Sequence, residues 1–302
     1  MMAIAWASGA GRLEADGKSL EWASWGPSPD KAPTLVLLHE GLGALGLWRD
    51  FPERLAAATG MGVFAWSRAG YGASDPCDLP RPLDYMKQEA VKVLPQVLDA
   101  MGFERGVLMG HSDGATIAAI HAGSVVDHRV RGLVLMAPHF FTEEMGLAAI
   151  AAAREAYETG DLRDRLARHH SNVDVAFRGW NDAWLHPDFR TWHVGEVIDY
   201  LRIPVLAIQG RQDQYGTLAQ ISEIEDRIYS PVETLILEEC RHAPHQDQPE
   251  AGWPRLQASV RGLIGSNAQR FRSREVAKPC LQLPGCRDRR RNAFVQSGHA
   301  RG

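Results

Sequence analysis

The chain has 302 residues, of which 45% are hydrophobic and 23% are charged, and its formal net charge at pH 7 is −4. The charge is uneven, because residues 266–302 contain nine Lys or Arg against two acidic residues, which leaves a net charge of −11 on residues 1–265. This composition is typical of a globular protein with a sizeable core, and the acidic body does not favour nucleic acid as the main partner.

The sequence carries no sign of membrane insertion or export. No segment approaches the ~18 consecutive apolar residues that a spanning helix needs. The segment MMAIAWASGAGRLEADG lacks the basic region that precedes the apolar run of a signal peptide. The four cysteines have no CxxC pair or zinc-like spacing, which favours free thiols in a reducing compartment. We therefore expect a soluble cytoplasmic protein that acts without a membrane, as a monomer or homodimer.

Short apolar runs and helical repeats alternate along the chain. Gly11–Gly26 predicts a hairpin with its turn at Asp16-Gly17. Continuous apolar runs of strand length, expected for strands buried on both faces of a parallel sheet, are Thr34–His39, Gly62–Ser67, Val107–Met109, Gly132–Met136, Val205–Gln209 and Thr234–Leu237. The predicted helices are Leu47–Ala58, Tyr85–Met101, Thr217–Ile228 and Pro249–Ile264. This order predicts an α/β fold with a doubly wound, mostly parallel sheet.

The alternation stops between His139 and Tyr200, a stretch of 62 residues with no strand signal. We interpret residues 139–200 as a helical cap inserted into a core of residues 1–138 and 201–265. An apolar stripe that includes Trp180 and Trp184 is expected to pack the cap on the core, with a ligand surface as the alternative. Residues 266–302 are predicted to be a basic, disordered tail, with contact to an anionic surface as the alternative.

The segment Gly110-His111-Ser112-Asp113-Gly114 joins a predicted strand to a helix of small residues. A G-x-S-x-G sequence at a strand-to-helix turn holds the serine on a tight elbow with its hydroxyl exposed. Side chains at the two glycines would collide with the neighbouring strand and helix. An ordinary Gly/Ser turn has the same sequence, so the interpretation depends on whether Ser112 has partners.

Two candidate partners of Ser112 follow the last two predicted strands. A serine hydroxyl is a poor nucleophile until a base takes its proton and a carboxylate orients that base. Asp213 comes shortly after Val205–Gln209, and His242 comes after the next strand. Either residue alone could belong to a turn or surface loop. Their order and their positions at the ends of strands predict a triad of Ser112, His242 and Asp213.

With these residues the chain resembles the α/β-hydrolase family over about Gly11–Ile264. The resemblance implies that Ser112 is the nucleophile, Asp213 the acid and His242 the base, with no cofactor. It also implies that the backbone N–H groups of Gly41 and Asp113 form an oxyanion hole. It rests on five segments, His39-Glu40-Gly41-Leu42-Gly43, SRAGYGASD at Ser67–Asp75, the GHSDG elbow, GRQD ending at Asp213, and RHAPH containing His242.

Two residues near the predicted site raise specific questions. The family commonly has glycine where this chain has Glu40, and a carboxylate facing the site would oppose an anionic intermediate. We therefore expect Glu40 to point away or to pair with a basic group such as Arg68. The Ser-Asp-Gly elbow resembles that of the valacyclovir hydrolases, in which the aspartate recognises a substrate amino group. Asp113 is therefore expected either to bind a cationic substrate or to be hydrogen-bonded locally at the elbow.

Histidines beside the predicted triad are open to a second interpretation. The sequence His242-x-x-His245-x-Asp247 suggests a metal site, but a loop H-x-x-H lacks the helical geometry that places two ligands on one face, so we predict no metal. His111 is expected to serve in packing.

The resemblance implies a serine hydrolase that cleaves a small carboxylic ester or lactone through an acyl-enzyme. We expect Phe140, Phe141, Trp184 and Trp192 to line its substrate pocket. One alternative keeps the triad but changes the reaction, to a C–C bond hydrolase or a menaquinone-pathway-type lyase. The other alternative is a ligand-binding protein on a hydrolase scaffold that no longer turns over.

Overall fold

The computed structural model describes residues 4–250 and 253–264, and eight strands of these residues form one sheet in the order β1-β2-β4-β3-β5-β6-β7-β8. β2 is antiparallel to β1 and β4, and the remaining pairs are parallel. The strands are β1 (Ala10–Ala15), β2 (Lys18–Trp25), β3 (Thr34–Leu38), β4 (Gly62–Trp66), β5 (Gly106–His111), β6 (Val130–Met136), β7 (Val205–Gly210) and β8 (Val232–Leu237). The predicted α/β fold with a mostly parallel sheet is confirmed.

Helices follow most of the parallel strands. In chain order they are α1 (Phe51–Thr59), α2 (Tyr85–Gln88), α3 (Leu94–Ala100), α4 (Asp113–Ser124), α5 (Glu144–Thr159), α6 (Leu162–Ala167), α7 (Val173–Trp184), α8 (Gly195–Ile198), α9 (Ala219–Arg227), α10 (Pro244–Asp247) and α11 (Trp253–Ile264). Within the described residues, no helix is long and apolar enough to cross a membrane.

Both faces of β3, β4, β5 and β7 are buried, and β6 is buried except at Arg131, which explains why these parallel strands are apolar runs. Successive side chains of a strand point to opposite faces. In β3, Val36 and Leu38 belong to one core with α2, α3, α4 and α9, whereas Leu35 and Leu37 belong to a second core with α1 and α11. The site therefore rests on strands that are held from both sides.

Two predicted helices are interrupted, and each interruption has a local cause. The helix predicted over Tyr85–Met101 contains a π turn at Glu89–Val93 just ahead of Pro95, which has no N–H to continue the regular ladder. The helix predicted over Leu47–Ala58 begins as a 3-10 turn and restarts as α1 after Arg49, whose φ is +52°.

The segment between β6 and β7 folds as α5, α6, α7 and α8, with one isolated bridge between Phe141 and His193. The predicted apolar stripe lies on α7, where Phe177, Trp180 and Trp184 are buried. We refer to α5–α8 as the inserted helices. The division into core and cap stays a prediction, and the predicted tail at residues 266–302 lies outside the described residues.

Candidate active site

Ser112 lies on a strained turn between β5 and α4. Its φ is +53° and its ψ is −120°, a conformation that a residue with a side chain rarely adopts. The turn is fixed to the neighbouring strand β6, because the Ser112 N–H donates to the carbonyl of Met136 at 2.9 Å. A Cβ at Gly110 would lie 2.3 Å from the Gly114 carbonyl oxygen, and one at Gly114 would lie 2.1 Å from that of Leu38. The elbow therefore needs both glycines, for the steric reason expected from the sequence.

Asp213 and His242 meet beyond the ends of β7 and β8. Nδ1 of His242 lies 2.8 and 2.9 Å from the two carboxylate oxygens of Asp213. The carboxylate also accepts the Tyr215 N–H at 2.8 Å and the Gln209 amide at 2.8 Å. Since Nδ1 faces a carboxylate, it carries the proton and leaves the Nε2 lone pair of His242 free to act as a base.

The charge of Asp213 is stabilised where it lies. Burial by itself would raise the pKa of its carboxyl, but the hydrogen bond and charge of His242, with the Tyr215 N–H, hold that pKa below its ordinary value. The Asp213 side chain is 1% exposed, so water does little to screen this interaction. At neutral pH the residue is a buried carboxylate directed at the imidazole.

A cavity with about 460 Å³ of empty space opens over the elbow. The predicted residues Ser112, His242, Gly41 and Asp113 all line this cavity. Asp213 does not line it and contacts His242 at Nδ1. The carboxyl ends of parallel strands lie at one edge of the sheet. At this edge the chain leaves β3 toward β4 on one side and later returns to β5 on the other side, and ligands of open α/β sheets bind at such a point. The cavity walls are formed by Glu40, Gly41, Leu42, Ser112, Asp113, His139, Ile150, Trp180, Trp184, Tyr215 and His242.

The predicted pocket residues are only partly those of the cavity wall. Trp184 is part of it, whereas Phe140, Phe141 and Trp192 are not. Phe140 is 1% exposed in the core, Phe141 forms the isolated bridge with His193, and Trp192 stacks on Phe189 with ring centroids 5.0 Å apart. Phe140 and Phe141 follow β6 near the cavity, but the local backbone directs their side chains away from it.

Three residues of the cavity wall were not predicted from the sequence to line the pocket: Trp180, Tyr215 and His139. Trp180 was expected mainly as core packing, yet a Cβ at Gly41 would lie 2.3 Å from its indole ring, so it lies flush on the predicted oxyanion loop. Tyr215 follows Asp213 by two residues, and its ring centroid is 4.7 Å from that of His242. Burial and the nearby His242 lower the pKa of His139 to about 3, so it is neutral.

Asp113 is fully buried, and its partner comes from another element. One carboxylate oxygen accepts the Tyr85 hydroxyl, and the Trp184 indole N–H in turn donates to the Tyr85 oxygen at 3.0 Å. The other oxygen, Oδ1, has no hydrogen-bond partner among the described residues. Burial raises the pKa of Asp113, against the opposing effects of Arg68 and Tyr85. Of the two alternatives expected for Asp113, the hydrogen bond within the elbow is therefore replaced by a hydrogen bond to Tyr85 of α2.

Glu40 pairs with His111 and not with Arg68, which corrects the partner expected from the sequence. Oε2 of Glu40 lies 3.4 Å from Nδ1 of His111. The Arg68 guanidinium instead donates to the backbone carbonyls of His39 and Glu40, at 2.5 and 3.0 Å. His111 was expected to serve in packing, and it also donates from Nε2 to the carbonyl of His242 at 2.6 Å. Two loops and the elbow thus converge on one histidine.

His245 and Asp247 face different surroundings from His242. The ring of His245 lies 5.1 Å from that of Trp48 and 5.2 Å from that of Phe51, and Asp247 accepts the Arg241 N–H at 2.9 Å. In the part of the chain that the structure describes, no group of three or more His, Cys, Asp or Glu is placed to hold a metal ion.

The chain is similar to several hydrolases. It is 25% identical over 236 residues to the proline iminopeptidase of Lactobacillus delbrueckii subsp. bulgaricus, covering 72% of this chain and 73% of that protein. A hydrolase from Pseudomonas aeruginosa PA01 superposes with a TM-score of 0.66 and 19% identity, covering 86% of this chain and 100% of that chain. The enol-lactonase from Burkholderia xenovorans LB400 superposes with a TM-score of 0.64 and 18% identity, covering 84% and 99%. The two structures show a shared fold.

The family follows from a comparison that covers most of the chain. The sequence profile of the Alpha/beta hydrolase family matches residues 35–253, which include the loop after β3, the elbow and the loops after β7 and β8. The chain therefore belongs to the alpha/beta hydrolase family.

Proposed function

We propose that this protein is a serine hydrolase that cleaves a small carboxylic ester or lactone through an acyl-enzyme. The observation that carries the proposal is one arrangement. A serine with φ +53° lies on the wall of a cavity whose wall also includes His242, and Asp213 holds Nδ1 of that histidine at 2.8 Å. A strained serine that shares a cavity wall with an oriented base is the combination that nucleophilic catalysis requires.

In the proposed reaction, Oγ of Ser112 attacks the substrate carbonyl carbon while His242 takes the serine proton on Nε2. Asp213 stays ionised and stabilises the imidazolium that forms. The backbone N–H groups of Gly41 and Asp113 stabilise the oxyanion, each contributing about 3–4 kcal/mol to the lowering of the barrier. The imidazolium then protonates the leaving alkoxide, and water activated by His242 releases the acid.

The cavity wall supports a small, largely apolar acyl group as the substrate portion bound beside Ser112. Its lining includes the apolar side chains of Leu42, Ile150, Trp180 and Trp184. Pockets with a largely apolar lining bind small molecules by excluding water, with a few polar groups fixing the orientation. A lactone fits the same description, because its ring carries the ester in a compact form.

Labelling with a fluorophosphonate tests the proposal, because this reagent phosphonylates an activated serine. We expect wild type to be labelled and Ser112→Ala to remain unlabelled. A panel of short p-nitrophenyl esters, amino-acid esters and lactones then identifies the substrate class. Absence of labelling would favour a ligand-binding scaffold and contradict the proposal. Labelling without cleavage of any ester would favour a C–C bond hydrolase or lyase on the same residues.

A second candidate, hydrolysis of α-amino acyl esters or amides, is favoured by Asp113. Its Oδ1 is buried without a hydrogen-bond partner among the described residues, directly after the proposed nucleophile. The similarity to a protein named proline iminopeptidase points in the same direction. The test compares kcat/KM for an amino-acid ester and its des-amino analogue in wild type and Asp113→Asn. An unchanged ratio between the two substrates would contradict amine recognition by Asp113.

A further inference from the structure

The carboxylate of Glu40 and the imidazole of His111 connect three parts of the proposed site. Glu40 precedes Gly41, a proposed oxyanion donor, and His111 precedes Ser112. Nε2 of His111 lies 2.6 Å from the backbone carbonyl oxygen of His242, and Nδ1 lies 3.4 Å from Oε2 of Glu40. One side chain therefore contacts the loop after β3 and the loop after β8 from its position beside the nucleophile.

The contact with His242 determines the tautomer of His111. A carbonyl oxygen only accepts hydrogen bonds, so Nε2 of His111 carries a proton. In a neutral imidazole the lone pair of Nδ1 would then lie 3.4 Å from Oε2 of Glu40, which is an ion-pair distance, although the angle does not make a hydrogen bond. That arrangement is repulsive, and a proton on Nδ1 makes it attractive. The geometry therefore favours an imidazolium at His111.

The surroundings of both groups agree with a charged pair. Burial alone would raise the pKa of Glu40, but the nearby His111 imidazole holds it well below its ordinary value. Burial alone would lower the pKa of His111, but Glu40 and the carbonyl of His242 outweigh burial and raise it. The His111 side chain is 3% exposed and that of Glu40 is 24% exposed, so solvent screens the attraction only in part.

Other titratable groups face this pair from several elements. The ring centroid of His111 lies 5.1 Å from that of His242 and 5.0 Å from that of His245. Among the described residues, the further charged or titratable groups that interact with Glu40, His111 or His245 are His39, Arg49, His139, His170 and Asp213. Asp213 is already bound to His242, which leaves Glu40 as the carboxylate in contact with His111.

We propose that Glu40 and His111 are positioning residues of the hydrolase, with the imidazolium neutralising the carboxylate beside Gly41 while it holds the backbone of His242. This inference rests on the proposed function. A lone carboxylate next to an oxyanion donor opposes the negative charge that develops on the substrate oxygen. The carboxylate in turn keeps His111 protonated, so each residue depends on the other.

Three variants separate the charge of the pair from its shape: Glu40→Gln, His111→Asn and the double variant. In His111→Asn the carboxylate loses its cation, and the rate constant for fluorophosphonate labelling of Ser112 at neutral pH should fall roughly 10- to 100-fold. The double variant has no charge left, so its labelling should recover about tenfold over His111→Asn. Equal rates for these two proteins would overturn the proposal.

The pH dependence of the labelling rate separates a charge effect from a structural one, because a purely structural role of the pair would leave this dependence unchanged. Wild type should lose reactivity on the basic side as His111 releases its proton and leaves Glu40 unneutralised. This limb should disappear in Glu40→Gln, because deprotonation of His111 then exposes no carboxylate. The matched control, His245→Asn, removes another buried histidine next to His111 and should keep the limb. A Glu40→Gln profile with the wild-type basic limb would overturn the proposal, and this profile decides alone where His111→Asn fails to fold.

Labelling of wild-type Ser112 separates failure of this inference from failure of the proposed hydrolase function. If wild-type Ser112 is not labelled at any pH, the hydrolase proposal and this inference both fall. If Ser112 is labelled and the Glu40 and His111 variants behave as wild type, only this inference falls.

Discussion

The loops at the carboxyl end of the sheet and the inserted helices form one cavity in different ways. Ser112 and Asp213 are held through their own backbone or carboxylate, by the carbonyl of Met136 and by the N–H of Tyr215. The inserted helices contribute apolar side chains, among them Trp180 and Trp184. Under the proposed function, the residues at the sheet end carry out the chemistry and the inserted helices determine the shape of the pocket. Changes at the sheet end should therefore lower kcat, and changes in the inserted helices should act mainly on KM.

The largest effect is expected from Asp213→Asn at the sheet end. An amide in this position no longer stabilises the imidazolium of His242 and favours the wrong tautomer, so kcat for ester hydrolysis should fall about 10⁴-fold. Steady-state kinetics with the best p-nitrophenyl ester measure this effect. Asp247→Asn is the matched control in the same region, with activity expected within a few-fold of wild type. If Asp213→Asn keeps more than a tenth of wild-type kcat, the proposed role of Asp213 is wrong.

The next-largest effect is expected at the contact between the loop after β3 and the inserted helix α7. Gly41→Ala places a methyl group 2.3 Å from the Trp180 ring, so either the loop or α7 must move. Displacing the proposed oxyanion donor, the Gly41 N–H, should lower kcat about 100-fold. Combining Gly41→Ala with Trp180→Ala removes the collision, and kcat should recover at least about tenfold over the single variant. No recovery in the double variant would show that the glycine is needed for a reason other than this contact.

A smaller effect is expected within the inserted helices, from Trp184→Phe. Phenylalanine keeps an apolar wall but loses the indole N–H that donates to Tyr85 at 3.0 Å. We expect KM to rise by roughly three- to tenfold, with a smaller change in kcat, because one hydrogen bond and part of a contact surface are lost. Trp192→Phe is the matched control, since Trp192 is not part of the cavity wall. A larger effect on kcat than on KM would contradict the division of roles.

The smallest effect concerns the stability of the inserted helices. Hydrogen bonds from Arg163 and Tyr157 lower the pKa of Asp174 from 3.8 to about 2. Since the folded pKa lies below the unfolded one, the carboxylate stabilises the folded protein above about pH 4, and this contribution is lost as the pH falls through about 2. Asp174 is half-exposed, so Asp174→Asn should lower Tm by about 2 °C or less at neutral pH. A difference in Tm that grows on acidification would contradict this assignment.

The features at the sheet end were predictable from the sequence because they depend on short local segments. Ser112, Asp213 and His242 could be placed because each follows an apolar strand, and the ends of parallel strands meet at one edge. The apolar runs themselves reflect burial on both faces of the sheet. These are local properties of short segments, so they are visible without the structure.

The remaining site features depend on contacts between distant segments. The partner of Glu40 is His111 because β3 and β5 are neighbours in the sheet, a pairing that no local pattern specifies. The bond from Tyr85 to Asp113 depends in the same way on how α2 packs against α4. The cavity wall contains Trp180, which was expected in core packing, and does not contain Phe140, because residue type does not reveal the direction of a side chain.

The central claim is that Ser112 carries the acyl group during turnover. Intact-protein and peptide mass spectrometry of the enzyme, quenched with acid shortly after mixing with a p-nitrophenyl ester, tests this directly. The account predicts one added acyl group per chain, located on the peptide that contains Ser112, absent from Ser112→Ala and lost on further incubation. Hydrolysis without an adduct, or an adduct on another residue that persists in Ser112→Ala, would contradict it.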